Sequence, residues 1–205
     1  MKRLNVLIIL SIVFCLENSL AQAPVYDQHI KLIADVKLPG HPESFRLDPA
    51  SKRIFVNVPD ALILATIDSD KKSISEKWKI EIAKSNFPMA LDIKNHRLFI
   101  GCRKPAKLLV INYDTGKIVA QKDIDDDTDD VFYDSSSKQV LVSCGAGYVN
   151  VIRQIDPDNY ENYFKIESLA GARTSLWIPE LNQLIVAAPA RSGKDAQLMI
   201  YEIQF

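Results

Sequence analysis

Glycine is scarce in this 205-residue chain, with seven in all. No Gly-rich phosphate loop and no G-x-S-x-G elbow can be built from them, so nucleotide binding and serine hydrolysis find no support. Blocks of Lys or Arg are missing too. Lys and Arg number 25 against 26 Asp and Glu, a formal charge of −1, and such a balance gives no electrostatic footprint for duplex nucleic acid or an anionic membrane. Cysteine is limited to three residues. No segment after the first residues sustains a 3.6-residue apolar period, which argues against a helical core. What remains, 47% apolar and 25% charged residues, is an ordinary globular composition for one domain or a compact repeat array.

The only long apolar run is at the start. "MKR", then "LNVLIILSIVFCL", then "ENSLAQA" read as a charged region, a hydrophobic region and a small-residue cleavage zone. The run is too short and too asymmetrically flanked for a membrane span. Cleavage after Ala21 is preferred over Ala23, which would leave Pro24 beside the scissile bond. Residues 1–21 are therefore read as a signal peptide and 24–205 as a single domain, periplasmic or secreted, with no stable membrane insertion. Removing residues 1–23 leaves 23 basic against 25 acidic residues. Cys15 leaves with the leader, since Phe14 before it is too large for a lipoprotein site.

The remaining chain repeats itself. Asp48, Asp92, Asp134 and Ile178 each end a short apolar run, at intervals of 44, 42 and 44 residues. Five residues beyond them stand Arg53, Arg97, Gln139 and Gln183, followed by "IFVNV", "LFIGC", "VLVSC" and "LIVAA". Each copy reads as four short strands separated by turn residues, the second and third apolar and the fourth charged, as in "SISEKWKIEI". Four antiparallel strands per copy of this length describe the blade of a β-propeller. The expected fold is all-β, with four blades of four antiparallel strands at about 41–84, 85–126, 127–170 and 171–205 plus 28–39. The fourth copy lacks its last strand, whereas "HIKLIADVKL", His29 to Leu38, has the charge alternation of an outer one. Pairing the two would close the ring and cover two sheet edges.

The segments "HPESF", "NFPMALD" with "RLFIGCRKPAKLLV", "DDVFYD" and "GARTSLWIPELNQLIVAAPAR" resemble the YncE-like, YVTN-type β-propeller proteins, exported relatives of the lactonase-like propellers. The likeness spans about residues 37–203 and covers only the later blades of the usual, roughly seven-bladed members. It implies a binding module, with metal-assisted lactone or ester hydrolysis as the alternative activity. It also leaves open a small closed ring, a shortened propeller, or self-association of two half-rings.

In such a fold the loops leading into the innermost strands meet at one mouth. By repeat position these are "HPES" (His41, Glu43), "NFPM" (Asn86), "DTDD" (Asp127, Asp129, Asp130) and "GART" (Arg173). The ligand-binding candidates are His41, Glu43, Asn86, Asp129, Asp130 and Arg173; Arg173 would take a carboxylate or phosphate in two-pronged fashion. Asp127, Asp129 and Asp130 are the metal candidates, offering oxygens to Ca²⁺ or Mg²⁺, although the run "DIDDDTDD" lacks the Gly and terminal Glu of an EF-hand loop. The alternative reading of these polar groups is a solvated channel mouth. Expected partners are a protein or a small anionic ligand. Cys102 and Cys144 share one repeat position with Val58 and Ala188, which marks them as small core filler. Neighbouring blades hold such positions too far apart for a disulfide, so two free, buried thiols are expected.

Overall fold

The computed structural model describes residues 30–191 and 193–204, and residues from Asp35 onward form one compact unit. The leader, both cleavage sites and His29 lie outside the described residues. No helix among the described residues is long and apolar enough to cross a membrane.

Among the described residues, fifteen strands fall into four antiparallel sheets, each built from consecutive strands. Sheet one contains β1 (Phe45–Asp48), β2 (Arg53–Val58), β3 (Ile63–Asp68) and β4 (Ser73–Lys79). Sheet two contains β5 (Lys84–Asp92), β6 (Arg97–Lys104), β7 (Ala106–Asn112) and β8 (Lys117–Asp123). Sheet three contains β9 (Thr128–Asp134), β10 (Gln139–Cys144), β11 (Tyr148–Asp156) and β12 (Asn159–Glu167). Sheet four has three strands, β13 (Thr174–Ile178), β14 (Gln183–Ala188) and β15 (Gln197–Glu202). The first strands contact one another in chain order, β1 to β5, β5 to β9 and β9 to β13, so the sheets share one inner edge.

The repeat frame maps onto the strands without a shift. The four anchors end the first strands, and Arg53, Arg97, Gln139 and Gln183 begin the second. Each anchor pairs across the hairpin with the residue five beyond it. The residue before that partner is left-handed in every copy: Lys52, His96, Lys138 and Asn182, at φ 56°, 56°, 57° and 51°.

The anchor aspartates are buried because they clamp these turns. Asp48 accepts from the Ala50 N–H at 3.0 Å and the Ser51 hydroxyl at 2.5 Å. Asp134 accepts from the hydroxyls of Ser136 and Ser137 and from both of their backbone N–H groups. Burial pushes the Asp134 carboxyl up, but the bonds from Ser137 and Ser136 together hold it below its ordinary value. Ile178 has no carboxylate to do this. There a 3-10 turn, Pro179–Leu181, bends the chain instead.

Alternation sends each sheet's side chains to its two neighbours. Phe55 and Leu64 of sheet one meet Met89, Leu98, Ile100 and Cys102 of sheet two. Ala90, Phe99, Leu108 and Val110 meet Val131, Val140, Val142 and Cys144 of sheet three. Leu141 and Val149 meet Trp177, Leu184, Val186 and Ala188 of sheet four. Cys102 and Cys144 are free and buried in these interfaces, and burial pushes each thiol up to about 12.

One expectation fails here. Residues 30–38 form no strand, and sheet four has no fourth member among the described residues. Val36 and Leu38 pack instead on sheet one, against Val56, Val58, Ile63 and Ala65. The apolar–charged alternation seen in the sequence is therefore used to cover a sheet face, which gains from burial, rather than to pair a sheet edge.

Candidate functional site at the inner rim

The chain enters each innermost strand on one rim, opposite the clamped turns. There the acidic run meets arginines from two other elements. Arg173, just before β13, places Nη1 at 2.8 and 2.7 Å from the two oxygens of Asp127 and Nε at 3.4 Å from Asp129 Oδ2. Arg103, near the end of β6, donates from Nη2 to Asp129 Oδ1 at 2.7 Å, and its Nη1 lies 3.3 Å from Asp127 Oδ1. The Arg103 guanidinium also lies 4.5 Å from the centre of the Phe87 ring. Two carboxylates and two guanidinium groups thus form a closed square. Asp127 holds its place from a left-handed backbone, φ 63°. Gly145 faces it, and a Cβ on Gly145 would stand 2.3 Å from Asp127 Oδ2.

Asp130 lies one residue further along β9 and is held differently. It accepts the Ser175 N–H at 2.6 Å. Burial pushes its carboxyl above the ordinary value; the Ser175 bond opposes this, Asp129 adds to it, and Arg46 opposes it. Arg46, on β1, makes one hydrogen bond among the described residues, from Nη1 to the Phe45 carbonyl at 2.8 Å. Burial lowers its pKa while Asp130 acts in the opposite sense. Glu43, Ser44, Arg46, Phe87, Asp129 and Asp130 line a cavity of about 280 Å³. The Ser44 hydroxyl and the Asn57 amide both donate to the Phe87 carbonyl, at 2.5 and 3.1 Å, and fix the cavity's wall.

The raised Asp130 carboxyl makes a testable statement about stability. A folded pKa above the unfolded value of about 3.9 favours folding most below the unfolded pKa, and that contribution is lost as pH rises through the folded pKa. Asp130→Asn keeps an oxygen for Ser175. It is expected to raise the melting temperature at neutral pH, with the gain vanishing below about pH 4. A melting series across pH in which the variant is the less stable at neutrality would show that Arg46 outweighs burial.

Of the residues selected from sequence, Asp127, Asp129, Asp130 and Arg173 come together and Glu43 borders the same cavity. His41 stands at the margin, exposed, with Nε2 3.9 Å from Glu43. It lines a neighbouring cavity of about 230 Å³. Asn86 is withdrawn. β6 runs past Cys102 to Lys104, which gives Asn86 a cross-strand partner and places it inside the sheet. There it is fully buried, donating to Asn57 Oδ1 at 3.1 Å and sharing the Ile63 carbonyl. Asp127 and Asp129 are engaged by arginines, and no group of three His, Cys, Asp or Glu among the described residues is placed to hold a metal ion.

The leading loops picked out by repeat position do not include Arg46 and Arg103, because both lie within strands. A signal was available for Arg46: the corresponding residues of the other copies are Ala90, Phe132 and Leu176. A charge at an otherwise apolar repeat position is the kind of exception that marks a site.

A larger cavity, about 600 Å³, lies at the opposite rim between sheets three and four, beside Gln139, Arg153 and Glu202. Its origin is structural. The matching Arg53 and Arg97 reach across to the next sheet, and the shorter Gln139 does not fill that space.

No family model matches the chain, and no curated protein does. Solved structures do. A chain of Kuenenia stuttgartiensis hydrazine synthase superposes with TM-score 0.69 and 14% identity over 86% of this chain and 49% of that one. A chain of a mitotic checkpoint complex gives 0.68 and 14%, over 81% and 51%. The Myceliophteria thermophila Cps50 (Swd1) β-propeller domain gives 0.61 and 11%, over 74% and 50%. The fold is that of a β-propeller. At these identities the likeness concerns fold alone. This propeller chain spans about half the length of the structures it matches, and its sheets, three of four strands and one of three, roughly fit the expected blade count.

Proposed function

We propose that this chain is an exported propeller module that binds a partner protein or a small anionic ligand at the inner rim. One observation carries the reading: Arg46, in a polar cavity between blades one, two and three, has no side-chain carboxylate within ion-pair distance among the described residues, whereas Arg103 and Arg173 beside it are both paired. An exposed guanidinium at the wall of this cavity, with donors to spare, suits a carboxylate or phosphate. The leader-like residues 1–21 support export to the periplasm or beyond.

The lactone or ester hydrolase implied by the family resemblance needs a carboxylate free to act as base or to hold Ca²⁺ or Mg²⁺. Asp127 and Asp129 are committed to guanidinium groups, which favours binding over catalysis.

Inorganic phosphate and an oligo-glutamate peptide serve as probes in calorimetric titration. Arg46→Ala is expected to weaken the bound probe about 10-fold or more, the loss of one charge-assisted hydrogen-bonding group. Arg153→Ala, on the opposite rim, should leave it unchanged. Equal effects of the two, or no binding of either probe to the unaltered chain, would overturn the reading. Lactone hydrolysis that rises with added Ca²⁺ and falls in Asp129→Asn would favour the hydrolase.

A further inference from the structure

Each interior blade offers the next one a forward face built from the residues two before and seven after its anchor. In blade two these are Ala90 and Phe99, and in blade three Phe132 and Leu141; both pairs are packed against the following blade. Blade four has the same positions filled by Leu176 and Ile185, in register with Ile200, while Ala187 pairs with Leu198. Nothing among the described residues covers them: Leu176, Leu198 and Ile200 are 53, 67 and 63% exposed.

The complementary backward face uses the residues three and one before the anchor. Met89 and Leu91 of blade two pack on blade one, and Val131 and Tyr133 of blade three pack on blade two. Their counterparts in blade one are Phe45 and Leu47, 64 and 49% exposed. Val36 and Leu38 cover the side of that face over β2 and β3, and among the described residues its inner-strand side stays open.

We propose that these two faces receive a second copy of this chain, blade four of one protomer seating on blade one of the other. The contact repeats the interface already made three times within the chain, with the same repeat positions and the same apolar chemistry. Head-to-tail contacts of this kind form a closed ring when the rotation per copy divides a full turn. Large exposed apolar faces with polar rims mark such interaction surfaces. The pairing would also shield the unpaired edge of β15, which sheet four leaves open among the described residues. This inference stands apart from the inner-rim reading, since it rests on the outer faces of the end blades.

Analytical ultracentrifugation of the purified full chain tests it. The expected sedimenting mass is twice that of one chain. Leu198→Glu/Ile200→Glu and, separately, Phe45→Glu/Leu47→Glu should each weaken association at least tenfold while circular dichroism reports intact sheets. Ile155→Glu, an equally exposed apolar position away from both faces, should have no effect. A monomer at all concentrations overturns the proposal. So does a dimer broken by the blade-four pair alone, which would mean two copies joined through blade four on both sides.

Discussion

Phe99→Ala is expected to lower the unfolding free energy by about 3–5 kcal/mol, the range for deleting a buried aromatic ring from a packed core. Phe99 is fully buried on the forward face of blade two. Its ring stacks against Tyr133 at 5.1 Å and meets Tyr160 edge-on at 5.7 Å, both in blade three. Removing it therefore takes away apolar burial and two aromatic contacts at once, and opens a cavity at the boundary between two blades. Domains are stable by only about 5–15 kcal/mol, so the melting transition should move by several degrees or more. The same repeat position supplies an internal control. Ile185 occupies it in blade four and is half-buried, so Ile185→Ala should cost under about 1 kcal/mol in the isolated chain. Chemical denaturation of both variants gives the comparison. Equal losses would mean that blade four is covered as fully as blade two.

Arg97→Ala is the second large effect, expected at about 2–4 kcal/mol. This guanidinium is largely buried and spans two blades. Nε donates to the Pro157 carbonyl at 2.9 Å, Nη2 to Asp158 at 2.6 Å, and Nη1 to the carbonyls of Asn95 and His96 at 2.7 and 3.0 Å. Truncation leaves those carbonyls short of donors in a part-buried region, and an unmet polar group costs more than a made bond contributes. Arg97→Lys should recover only part of the loss, because one ammonium cannot reproduce a planar fork. Arg53 makes the equivalent latch from blade one, to the Tyr113 carbonyl and Asp114 at 2.7 and 2.8 Å, but is more exposed. Its alanine variant should lose about half as much. Urea midpoints for the two variants would rank them, and a larger loss at Arg53 would contradict the burial argument.

These two residues also show how far the sequence could be read. Arg97 and Arg53 were visible as a repeated Arg five residues past an anchor Asp, and that spacing fixed the hairpin. Their role as latches between blades was not visible, because Pro157 and Asp158 are remote in the chain and come near only when blades stack. Phe99 was legible as the centre of an apolar strand, and alternation told that it faces one neighbour; which neighbour was decided by packing. At the rim, the acidic run and Arg173 stood out by composition. Arg46 was marked only by comparison of the copies, as a charge at a repeat position held elsewhere by Ala90, Phe132 and Leu176, and Arg103 by nothing until the fold brought it to Asp127 and Asp129.

Local interactions explain what the sequence settled by itself. Period-two alternation, turn residues at matched offsets and a clamp aspartate act over a few residues, so strands, hairpins and the four-copy frame followed from the chain alone. The fate of residues 30–38, the withdrawal of Asn86 into β5, the pairing of the acidic run with two arginines and the uncovered faces of the end blades were decided only in three dimensions. Each of these is a contest between burial and pairing partners far apart in sequence, and its outcome depends on how far one sheet is from the next.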